Sequence, residues 1–187
     1  MESTNFRVGQ GEFRLGFLWV VANVVGWIVG FFICEAFQAL FRGLSSDGLI
    51  LGTSLGIAQA LVMRPRLGRG GWWVLSSIGG FWLGKLVGDM LSAGTPGIAG
   101  FLLDGAVIGA GVGIAQSLVL RGRLPQFGFW IPANIVGWAV AWIVIRSVDD
   151  SEPITTLWIY AVGSVGAAIA GIVTGVTLIC LMRRRPA

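Results

Sequence analysis

The chain has 187 residues, 55% hydrophobic and only 12% charged, with a mean hydropathy of +0.82. A soluble domain carries about 25% charged residues, so a water-filled surround is excluded for most of the chain and an all-α integral membrane protein is expected. The absence of histidine excludes imidazole as acid, base or axial ligand, and the net charge is +4. The basic residues flank apolar segments instead of sharing one soluble face, so no nucleic acid is expected as a partner.

Six apolar segments are long enough to be membrane helices, which need about 20 residues. They run from Phe13 to Phe41, Gly48 to Met63, Gly71 to Leu91, Gly97 to Leu120, Phe127 to Val148 and Leu157 to Met182. The second is shortest. Turn chemistry separates the members of each pair: Gly43, Ser45 and Ser46, then Ala93 to Pro96, then Asp149 to Pro153. Glu2 spoils a basic leader and no small-residue cleavage site follows the first apolar run, so that helix is expected to be retained.

Arginines set the expected orientation. Arg7 and Arg14 precede the first segment. Arg64, Arg66 and Arg69 lie between the second and third, and Arg121 and Arg123 between the fourth and fifth. Arg183, Arg184 and Arg185 follow the sixth. All ten fall on one side, against Arg42, Lys85 and Arg146 on or near the other. The positive-inside rule then puts both termini in the cytoplasm.

An internal repeat organises the whole. Trp19-Val-Val-Ala-Asn23-Val-Val-Gly26-Trp27 matches Trp130-Ile-Pro-Ala-Asn134-Ile-Val-Gly137-Trp138, and Trp73 through Ser77 and Gly80 to Phe81 is a weaker copy. Gly52-xxx-Gly56-Ile-Ala-Gln59 matches Gly109-xxx-Gly113-Ile-Ala-Gln116, each running on to an arginine, and Asp47-Gly48 matches Asp104-Gly105. The sixth segment is aligned on Gly171-xxx-Gly175, which sets Leu178 against the glutamines. The expectation is one membrane domain over residues 1–187, built from three parallel hairpins at 13–67, 71–124 and 127–185. Their pseudo-threefold axis would lie near the membrane normal.

The Gly-Ile-Ala-Gln-x-Leu-Val-Leu/Met-Arg and Trp-x-x-Ala-Asn-x-Val-Gly-Trp segments resemble uncharacterised multi-pass membrane proteins of cyanobacteria and filamentous anoxygenic phototrophs. The likeness covers most of the first five segments. It implies a bacterial inner (plasma) membrane and no particular activity.

The 30 glycines are more than twice the usual share of about 7%. In lipid, helices associate by close backbone approach, which small residues four apart allow. Gly26 and Gly30, Gly52 and Gly56, Gly80 and Gly84, Gly109 and Gly113, Gly137, and Gly171 and Gly175 are therefore expected at helix contacts. Asn23, Ser77 and Asn134 occupy equivalent mid-membrane positions, a candidate interhelical polar ring. Gln59 and Gln116 lie nearer the arginines, where partial wetting is the alternative, and interhelical hydrogen bonding is expected of them more strongly still.

Intramembrane charges point to function by default. Glu35, Asp89 and Arg146 fall at one depth near the outer boundary, with Lys85 one turn before Asp89 and Asp104 at a similar level. They are expected to form one outward-facing cluster, close to fully ion-paired, whose main task is structural, with the mouth of a solute or proton site as the alternative. Trp19, Trp73 and Trp130 sit at equivalent boundary positions and are expected to form an aromatic belt. Trp27, Trp82, Trp138 and Trp142 lie deeper, some of them expected to face lipid or another protein. Pro132, early in the fifth segment, is expected to need a local adjustment.

No Ser-His or Cys-His pair is possible, and Cys34 and Cys180 stand apart in apolar runs, so no enzyme, metal or cofactor is expected. Two functional classes remain. One is a structural or accessory subunit packing against itself or a larger membrane complex. The other is a small-solute channel or carrier with a polar site on the outward side.

Overall fold

The computed structural model describes residues 9–40, 47–68, 70–147 and 156–183, which are helical with no strand among them. The helices are α1 (Gln10–Leu40), α2 (Asp47–Leu67), α3 (Gly70–Ser92), α4 (Gly97–Leu120), α5 (Trp130–Arg146) and α6 (Thr156–Arg183). A 3₁₀ turn, Phe127–Phe129, leads into α5. Arg7, Arg42, Arg69, Arg184 and Arg185, and the turn clusters at Gly43 to Ser46 and Asp149 to Pro153, lie outside the described residues.

Five of the helices are long and apolar enough to cross a membrane, and α3 is not among them. This departs from the expected six. Its 23 residues reach about 34 Å at 1.5 Å each, so length is not the reason. Lys85, Asp89 and three tryptophans lower its apolarity.

Helix ends follow local chemistry. Glu12 reaches back to the backbone N–H of Gly9 (2.9 Å), half of a capping box at the start of α1. Gly68 adopts a left-handed φ of 64° just after α2 and donates its N–H to the Arg64 carbonyl, a common helix stop that a side chain would strain. Pro132 falls in the first turn of α5. A first-turn N–H has no intrahelical partner in any case, and the tightened 3₁₀ turn at Phe127–Phe129 just before it is the kind of local adjustment expected.

Each helix packs on its two sequence neighbours, and α6 packs on α1, so the six close a ring. Glycines set the close contacts. A methyl at Gly26 would lie 2.8 Å from Leu55 Cα, and one at Gly80 2.7 Å from Val112 Cα. One at Gly84 would lie 2.8 Å from Ile108 Cα, while Gly137 faces Ala170 Cα at 3.4 Å. The Cβ position of Gly30 meets Leu51 and Ser54, that of Gly52 meets the α3 backbone at Ser77 and Ile78, and that of Gly109 the α5 backbone at Asn134 and Ile135.

A second contact recurs three times and corrects the register of the sixth segment. Gly56 faces Val74 Cα and Ser77 Cβ, Gly113 faces Ile131 Cα and Asn134 Cβ, and Gly171 faces Val20 Cα and Asn23 Cβ. Gly171 thus stands where Gly56 and Gly113 stand, one turn away from the expected alignment. Gly175 packs on the Trp19 ring instead. The residue in the glutamine position is Thr174, not Leu178.

Large apolar side chains such as Phe17, Val25, Leu61, Leu75, Leu118 and Val176 point outward. Two apolar clusters fill the interior. One, around Trp19, Trp73 and Trp130, lies toward the end that carries Arg64, Arg121 and Arg183. The other contains Trp27, Phe81, Trp138 and Trp142.

Candidate functional site

The basic end of the ring is closed by tryptophan. The Trp19, Trp73 and Trp130 ring centroids are 5.9 Å from one another in all three pairs, at steep edge-to-face angles. All three are fully buried, so they are not the belt expected from their depth. Exposed indoles occur at Trp72, Trp82 and Trp158, while Trp27, Trp138 and Trp142 are buried. Edge-to-face aromatic pairs add about 0.5–1.5 kcal/mol each beyond burial.

A polar layer lies against this triad. Asn23, Ser77 and Asn134 each donate to the carbonyl of the tryptophan four residues before: Trp19, Trp73 and Trp130. The indole N–H groups point to the other three helices. Trp73 donates to Gln59 Oε1 (3.1 Å), Trp130 to Gln116 Oε1 (2.9 Å) and Trp19 to Thr174 Oγ1 (2.9 Å). Gln59 Nε2 donates to Asn23, and Gln116 Nε2 to Ser77 and Gln59. Both glutamines are buried and hydrogen-bonded between helices, as expected, and not wetted, because their amides turn into the ring. Proximity to arginine along the helix says nothing of that rotation.

At the other end the ring opens into a cavity of about 500 Å³. Glu35, Lys85, Asp89, Asp104 and Arg146 all line it, joined by Asp47 from α2. Trp27, Phe31, Phe101 and Trp142 supply aromatic wall. Four carboxylates against two bases leave the lining formally at −2.

The charges are less paired than expected. Lys85 and Asp89 form an ion pair on one face of α3, with side chains 25% and 53% exposed. Among the described residues the other four lining charges form no ion pair. Glu35 accepts from the Tyr160 hydroxyl (2.9 Å), and Asp47 from Gln38 (2.9 Å). The Arg146 guanidinium lies 5.4 Å from the Phe101 centroid, and Lys85 Nζ 6.0 Å from that of Trp142. Glu35, Asp47, Lys85 and Arg146 are thus each engaged locally, by a hydrogen bond, an ion pair within one helix or an aromatic face, and not by pairing across the cavity.

Asp104 differs from the rest. It is 8% exposed. Its Oδ2 accepts from Trp142 Nε1 at 2.7 Å, whereas Oδ1, packed against Gly88, is buried with no hydrogen-bond partner. A side chain at Gly88 would fill the space the carboxylate occupies. Among the described residues, Trp27 Nε1, packed against Gly163, is likewise buried without a partner. Among the described residues no three His, Cys, Asp or Glu side chains group as a metal site.

Three parts of this site were not read from the sequence. Asp47 carried a signal, its shared offset with Asp104. Tyr160 and Thr174 did not, since their partners lie on α1 at the far end of the chain. No protein-family model, curated protein or solved structure matches this chain.

Proposed function

We propose that this chain is a non-enzymatic six-span membrane protein whose outward cavity binds a small solute bearing an amine or another organic cation. The observation that carries the reading is the buried Asp104 carboxylate on the wall of a 500 Å³ cavity, with one oxygen lacking a partner. A buried carboxylate with one oxygen unsatisfied costs about 1–3 kcal/mol, and a cation held in the cavity would offset its charge. The volume falls within the usual range for small-molecule sites, roughly 300–1,000 Å³. Aromatic walls beside surplus carboxylate suit a cation, and the two cations already lining the cavity rest on such walls.

The framework of the proposal is three parallel hairpins about an axis near the membrane normal. The equal spacing of the tryptophan triad and the thrice-repeated glycine contact support it. All six helices would span, with the two charges of α3 turned to the cavity and not to lipid. The arginines at the opposite end favour cytoplasmic termini in a bacterial inner membrane. Tryptophan and the polar layer fill the axis below the cavity, which favours a carrier or binding component over an open channel.

Thermal unfolding in detergent, with a panel of small amines and small anions, tests the reading. Amines should raise Tm, and a ligand at 100 times its Kd adds about 2.7 kcal/mol. Asp104→Asn should abolish the shift while keeping the Trp142 acceptor. Failure of every amine to shift the wild-type protein, or a shift that survives Asp104→Asn, would overturn it. The structural or accessory reading would then stand.

A further inference from the structure

A second cavity, of about 680 Å³, lies on the outer, lipid-facing side of the ring between α3 and α4. Its floor is Gly79, Gly80 and Gly111, where the two backbones nearly touch: a methyl at Gly80 would sit 2.7 Å from the Gly111 carbonyl oxygen. A methyl at Gly79 would meet nothing within 4 Å, so the floor is open there. Leu83 and Leu118 wall the groove, and both are exposed. At the basic end the lining changes character, to Arg121, Arg123 and a Trp72 indole that is 62% exposed.

Apolar groove, interfacial indole and paired arginines occur in the order in which a phospholipid presents acyl chain, glycerol region and phosphate. Indole suits the headgroup level, and arginine binds phosphate oxygens in a bidentate fork. A similar groove between α5 and α6, of about 440 Å³, has Phe129, Val136 and Leu181 in its lining and no cation. The α3–α4 groove is thus distinguished by its charge and by the opening at Gly79. We propose that it is a binding site for one anionic phospholipid, its phosphate on Arg121 and Arg123 and an acyl chain over Gly79. The inference is independent of the solute cavity.

Native mass spectrometry of the purified protein, titrated with phosphatidylglycerol or phosphatidylcholine, tests it. Phosphatidylglycerol should be retained preferentially. Each of Arg121→Gln and Arg123→Gln should weaken that retention by about five-fold, and Gly79→Leu, which fills open space, should remove it. Val136→Leu, in the uncharged groove, should change nothing. Excess inorganic phosphate should not displace the lipid. Equal retention of the two lipids, retention unchanged by both arginine substitutions, release by phosphate, or a Gly79→Leu effect on dimerisation alone would each overturn the proposal. Unchanged helical content and Tm in the arginine variants keep a loss of binding distinct from misfolding.

Discussion

Trp19 donates its indole N–H to Thr174, 155 residues away in sequence, and so ties the first helix to the last. Thr174 in turn donates to the Ala170 carbonyl (2.7 Å), so one hydroxyl completes the polar layer where the other two hairpins use a glutamine. Thr174→Val keeps the shape and removes the acceptor. It should lower stability by about 1–3 kcal/mol, the cost of a buried unsatisfied donor, while Thr174→Ser stays near wild type. Urea or heat unfolding in micelles, followed by tryptophan fluorescence, measures this.

Gln59 and Gln116 share a hydrogen bond and each receives an indole. Their substitutions should therefore not add. In a double-mutant cycle, Gln59→Leu with Gln116→Leu should cost less than the two singles together, with a coupling of about 0.5–3 kcal/mol. Strict additivity would mean that the layer does not act as a network.

Adjacent glycines on α3 should respond in opposite ways. Gly80→Ala drives a methyl to 2.7 Å from Val112 Cα, backbone that cannot step aside, whereas Gly79→Ala meets open space. The first should destabilise the bundle by about 1–3 kcal/mol, typical of overpacking. The second should be neutral or slightly stabilising, since alanine favours helix over glycine by roughly 0.8–1.0 kcal/mol in water. Comparable losses at both positions would contradict the α3–α4 packing.

The Lys85 and Asp89 side chains are 25% and 53% exposed at the cavity. Breaking a buried pair costs about 3–5 kcal/mol, but a wetted i,i+4 pair contributes only about 0.3–0.5. Lys85→Met should leave Tm within a degree or two of wild type. Asp104→Leu, which deprives the buried Trp142 N–H of its acceptor, should lower it clearly. A large loss at Lys85 would show that the cavity is drier than its exposure indicates.

The sequence alone located the helical segments and ordered residues along each helix axis. An apolar run bounded by glycine, proline, serine or aspartate can do little else in lipid, where backbone groups must bond within the segment. A rise of 1.5 Å per residue then converts position into depth, which is why Glu35, Lys85, Asp89, Asp104 and Arg146 could be grouped before any contact was known. Glycine spacing likewise exposed the packing faces of α1 to α5. Rotation about each helix axis was a different matter. These helices are apolar almost all round, so no polar face marks which side meets protein. Only the closed ring decided that Trp19, Trp73 and Trp130 turn inward to one another, that Gln59 and Gln116 are dry, and that Glu35 meets Tyr160 rather than a base. It also decided the register of α6, where Gly171 and Gly175 both satisfy a four-residue spacing. Choosing between them requires knowing which one lies against Asn23, a contact between opposite ends of the chain.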